Sequence, residues 1–161
     1  MNQRTQHLRN LLISVFEESP WYGDAVMKKL KQIPHHIVNI SPVPGTNSVA
    51  KLVKHMVNWR ALVIEVLRGN AAYNIEINSQ EDWPDIHIDS AAQWEELIEE
   101  LKYTQKHLCD LLDGLSDERL DQKASGREYT NLYMIEGIIH HDIYHLAQIA
   151  VVAKQAKSIT D

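Results

Sequence analysis

Thiols are nearly missing from this chain: Cys109 is the single cysteine among 161 residues. One cysteine forms no intrachain disulfide and builds no cysteine-based zinc site, a pattern that suits a reducing cytoplasm. Basic charge is also scarce. Lys and Arg number 16 against 22 Asp and Glu, a formal charge of −6. A fold-wide positive field for nucleic acid is therefore lacking, and no nucleic-acid partner is expected. No apolar run approaches the roughly 20 residues that a membrane-spanning helix requires. Met1 to His7 leads into no signal-like apolar core. The expectation is a soluble, cytoplasmic protein with no membrane partner. Internal repeats, low-complexity stretches and strands long enough to compete with helices are missing too. One domain spanning 1–161 fits this length, and such a domain buries about two-thirds of its unfolded surface without needing disulfides.

What is present is helical periodicity. Leu8, Leu11, Leu12, Val15 and Phe16 mark one face of a first helix from about Thr5 to Glu18, stopped by Pro20. Trp21 to Lys31 holds a further short helical stretch, and Gln32 to Gly45 reads as irregular, with Pro34, Pro42 and Pro44. A second long helix begins at Thr46, Asn47 or Ser48, all competent N-caps, and runs to Arg68, where Gly69 stops it. The stretch from Asn70 to Asp89 is an unusually long connection, of the kind that lies across sites. Ser90 and Gln93 read as a capping box opening a third helix, whose seam is Trp94, Leu97, Leu101, Leu108, Leu111, Leu112 and Leu115, and whose end is marked by Gly114. After a loop from Ser116 to Thr130, a fourth helix runs from Asn131 to Ala156. Four amphipathic helices predict an all-α four-helix bundle with long crossover loops, stripes turned inward.

Nine histidines are a rich supply for such a chain. His141 and His145, four apart on the fourth helix, share a face with Cβ atoms about 5–6 Å apart, a spacing that chelates one divalent ion. Met134, Ile138, Ile149 and Val152 surround the direction of His145, so the pair borders the core rather than water. Imidazoles buried there need a partner for each ring nitrogen, and a metal on one with an acceptor on the other supplies both. On the second helix His55 sits between Leu52 and Trp59, at the edge of the apolar face. It is the candidate third ligand, with His107 and His87 as rivals. His140 points away. Asp142 falls inside the apolar sector of its helix, where a carboxylate needs a partner. It is a candidate to orient a ligand histidine, to cap a helix, to face a subunit, or to make a local structural hydrogen bond. Gln148 is a second candidate to support a ligand. Trp59 and Tyr144 read as packing residues, and Cys109 as no nucleophile.

The stretch His141-Asp142-Ile143-Tyr144-His145-Leu146-Ala147-Gln148-Ile149 resembles the signature of the DinB-like (YfiT-like) family. Ser48 to Arg60, centred on His55, is similar to that family's first ligand helix, and Glu81-Asp82-Trp83-Pro84 resembles its turn before the third helix. Ala147 departs from the glycine many relatives carry. The resemblance implies a four-helix bundle with an unusual crossover, commonly a homodimer. It implies a nickel or zinc ion on His55, His141 and His145. Some relatives resemble S-transferases or isomerases that use a small thiol such as bacillithiol, and many others have no known reaction. Independently of the resemblance, a metal with an open position also permits hydrolysis by metal-bound hydroxide. A non-catalytic metal-binding or stress-response bundle is the alternative, so whether the chain is an enzyme stays open at this level.

Overall fold

The computed structural model describes residues 2–160. Its long helices are α1 (Gln3–Phe16), α3 (Val49–Leu67), α4 (Ala91–Gly114) and α6 (Asn131–Thr160), with short α2 (Val26–Leu30) and α5 (Asp117–Leu120) between them. No strand occurs among the described residues, apart from a lone antiparallel bridge between Lys123 and Thr130. None of these helices is long and apolar enough to cross a membrane.

The four long helices form the expected all-α bundle. α3 packs against α4 and α6, and α1 packs against the same two. Thus α1 lies diagonally from α3, and α4 diagonally from α6, so two of the three connections cross the bundle. Large buried side chains from all four meet at the centre, among them Leu12, Phe16, Met56, Leu101, Leu108, Ile135 and Ile149.

Local chemistry explains most element boundaries. Among three competent caps Ser48 is the one used, accepting from the Lys51 N–H at 3.3 Å. Ser90 accepts from the Gln93 N–H at 3.2 Å, but Gln93 reaches back to the Asp89 N–H at 2.5 Å, one residue before the position a capping box predicts. Other boundaries depend on distant chain. α1 starts at Gln3, earlier than its local pattern predicts, because Asp117 accepts from the Arg4 and Thr5 N–H groups at 3.2 and 2.9 Å. Leu11, expected in the core, is 38% exposed, and the face is completed by Thr5. The stretch expected to be irregular holds a 3₁₀ turn at His35–Ile37, and α5 occupies part of the loop before α6. α6 runs four residues beyond the expected Ala156, to Thr160.

Candidate metal centre

His55 on α3 and the pair His141 and His145 on α6 meet in the interior between the two helices. The Nε2 atom of His141 lies 3.0 Å from that of His55 and 3.1 Å from that of His145. His55 and His145 are buried, and His141 is half-buried. One ligand atom from each lies within 4.8 Å of the others, so the three could hold a metal ion. Of the rivals, His107 faces the α3–α4 side, where its Nδ1 accepts from Arg68 at 3.1 Å beside Tyr103. His87 is an exposed loop residue near Asn39 and Asp89. His140 is exposed, as its angle predicts.

The outer nitrogens set the tautomers. His55 Nδ1 lies 2.7 Å from the backbone carbonyl of Asp82, which only accepts, so this nitrogen carries the proton and Nε2 keeps its lone pair. His145 Nδ1 donates to Gln148 Oε1 at 2.7 Å, with the same consequence. Two lone pairs therefore point at His141 Nε2. A single proton there serves only part of that demand, whereas a cation shared by the three nitrogens serves all of it. His141 Nδ1 is buried without a partner among the described residues.

Burial also keeps the rings uncharged. It drives the His141 pKa down to about 3, with His145, His55 and Arg60 adding to the effect. It drives His145 down to about 4 against the opposing pull of Gln148. It lowers His55 against the opposing pull of Asp82. Neutral imidazole is the form that binds metal, and desolvation is the physical reason it prevails here.

The long loop between α3 and α4 covers the site. Asp82, 3% exposed, approaches His55 Nδ1 with its carboxylate at 3.1 Å and accepts from Trp59 Nε1 at 2.8 Å. Its second oxygen takes the N–H of Asn78, whose positive φ of 66° folds the loop back at a residue type that tolerates it. Trp83 stacks on the His55 ring, centroids 3.8 Å apart and planes within 9°. The positions of Asp82 and Trp83 around His55 were not assigned from sequence, although both lie in the quoted Glu81–Pro84 turn. Trp59 does more than pack, since its indole N–H holds Asp82. Tyr144 is 61% exposed rather than packed.

Asp142 requires a correction. Its carboxylate orients no ligand histidine. It is fully buried and paired with Arg60 of α3, with Nη2–Oδ2 at 2.6 Å and Nε–Oδ1 at 3.0 Å. Arg60 Nη1 donates to Gln105 at 3.0 Å, and the guanidinium lies 4.7 Å over the Phe16 ring. Burial pushes the Asp142 carboxyl up, and the Arg60 charge and hydrogen bonds pull it back. Cys109 is buried on α4, and burial raises its thiol pKa, consistent with no nucleophilic role.

Comparison with known proteins rests on one match. No curated protein and no solved structure matches the chain. The sequence model of a family described as the DinB superfamily matches residues 24–149, most of the chain and all three converging histidines. An all-α bundle agrees with that match, and the chain belongs to the DinB superfamily.

Proposed function

We propose that this chain binds one divalent ion, nickel or zinc, on His55, His141 and His145, and uses it to transfer a small thiol to an electrophile. The observation that carries the metal reading is the convergence of three uncharged imidazoles whose Nε2 atoms lie 3.0 and 3.1 Å apart across His141. Three protein ligands leave a coordination position for a further group, the arrangement of catalytic rather than structural sites. A divalent ion held there would favour the thiolate form of a thiol occupying that position.

The chain's only thiol is buried with a raised pKa, which supports a thiol supplied from outside. The thiol gives its proton to solvent. Its sulfur electron pair forms a C–S bond with the electrophilic carbon, and the leaving group departs with the pair of the broken bond. Asp82 and Gln148 hold His55 and His145 in register, and Trp83 covers the His55 ring. A homodimer is part of this proposal. α6 keeps Tyr144 and Val151 exposed at 61% and 57%, an apolar face suited to a second copy, and sedimentation equilibrium checks it.

Elemental analysis of purified protein tests the centre. Wild type should carry one ion per chain and His55→Ala should lose it, while His107→Ala and His87→Ala keep it. Metal retained by His55→Ala would sink the site. Conjugation of monochlorobimane to bacillithiol or glutathione, with loaded and metal-stripped protein, tests the transfer. A rate that ignores metal or thiol would leave a metal-binding bundle protein without this chemistry.

A further inference from the structure

A second feature of the α3–α6 seam lies one turn from His141. Trp59, Leu62 and Val63 of α3 face Met134, Gly137 and His141 of α6 across a cavity of about 230 Å³. Tyr129 and Tyr133, whose ring centroids are 5.5 Å apart, line the end away from the histidines. No charged side chain lines it. It is smaller than the roughly 300–1,000 Å³ of pockets for drug-sized ligands, so it suits a compact compound of one or two rings.

Gly137 lines this cavity from the exposed side of α6. A glycine inside a helix costs about 1 kcal/mol relative to alanine. Glycine is usually kept in such a position because a neighbour is too close or φ is positive. Neither applies at Gly137. A Cβ built there meets nothing within 4 Å, and Gly137 is not among the residues of positive φ. Its missing side chain serves no packing contact. A larger side chain there has room to enter the groove, which is lined further along by a candidate ligand histidine.

We propose that this groove is the subsite for the electrophile, that it takes uncharged aromatic or alkyl compounds and rejects anions, and that Gly137 sets the size it admits. The proposal extends the thiol-transfer reading, since the groove places its occupant beside His141. Away from the ion at its His141 end, the apolar walls offer a carboxylate nothing to offset its lost hydration. Trp59 is held in place by its bond to Asp82, so it presents a fixed aromatic surface to the occupant.

The test is calorimetric titration with 1-naphthol and, in parallel, with 1-naphthoate, on metal-stripped and metal-loaded protein. On stripped protein, naphthol should bind at least ten times more tightly than naphthoate. Gly137→Leu should weaken naphthol at least tenfold while the metal content of the loaded variant is unchanged. In the wild type, naphthol should shift the amide resonance of Gly137 and the indole N–H of Trp59 most. Equal affinity for the two ligands, an unaffected Gly137→Leu, or shifts confined to other regions would each overturn the proposal. Titration of stripped protein reads the groove alone, so a failed metal centre and a failed groove give different results.

Discussion

Two polar clusters bridge α3 and α6 inside this bundle, and they are opposites. His55 and Arg60 lie five residues apart on one helix, while His141 and Asp142 are neighbours on the other. In the Arg60–Asp142 pair both side chains are wholly buried, opposite charges meet at 2.6 Å, and Gln105 takes a further guanidinium nitrogen. Every nitrogen of the guanidinium is paired and both carboxylate oxygens accept, although the Gln105 Nε2 behind them is buried without a partner among the described residues. The histidine cluster instead holds lone pairs that face one another, a ring nitrogen with no partner among the described residues, and one half-buried member. A buried polar group left unsatisfied destabilises a fold. Opposite charges that satisfy each other therefore read as structure, and lone pairs held against one another as a site that needs a guest. The difference can be broken or sharpened by mutation.

The largest effect is expected at Arg60. Arg60→Met strands the Asp142 carboxylate in the core, which costs about 3–5 kcal/mol when one partner of a buried pair is removed. Denaturant unfolding of metal-stripped protein should show the loss. The double variant Arg60→Met with Asp142→Leu should recover most of it, because an apolar pair of similar volume avoids the desolvation of two charges. A double variant as unstable as the single one would show that the pair specifies the packing rather than merely satisfying itself.

Acid should act on the histidine cluster next. The folded pKa values of His141 and His145 lie at about 3 and about 4, and that of His55 is also lowered. In the unfolded chain they return to about 6.5. The unfolded state therefore binds more protons, and stability falls with pH across the window from about 6.5 downward. Unfolding of stripped protein between pH 7 and pH 4.5 should show this slope. His141→Leu should flatten it, and an unchanged slope would separate the acid response from the cluster.

How much of this was legible in the sequence depends on whether the signal was local. The four helices were, since apolar periodicity and the caps Ser48 and Ser90 are local. So was the convergence of His55 with His141 and His145, through an i, i+4 pair on a core face and a histidine beside Leu52 and Trp59. The start of α1 was not, because Asp117 caps it from more than a hundred residues away. The partner of Asp142 was half visible. Arg60 is four residues after Met56 and seven after Val53, on the same apolar face. A lone cation there and a lone anion on the facing helix are a complementary pair. Asp82 stayed hidden, because its role depends on a loop folding back onto α3, which periodicity does not report.

The support given to each ligand comes next in size. Gln148→Leu removes the acceptor that fixes the His145 ring, and loss of such an outer partner typically costs 10–100-fold in metal affinity. Competition with a chelator of known affinity should measure it, while the unfolding of stripped protein changes little, since Gln148 is only half-buried. Unchanged affinity would mean that packing, not this hydrogen bond, aims His145.

The smallest effect is the one most specific to the contrast. His141→Leu removes a buried nitrogen that has no partner among the described residues and relieves the opposed lone pairs of His55 and His145. It should abolish metal binding and yet leave stripped protein as stable as wild type, or about 1 kcal/mol more so, because an unsatisfied polar atom is replaced by apolar surface. Thermal unfolding of both stripped proteins gives the comparison. Arg60→Met removes a satisfied group and should move stability the other way by several times as much. If His141→Leu were as damaging as Arg60→Met, the histidines would hold the helices together without a guest, and the distinction between the two clusters would fail.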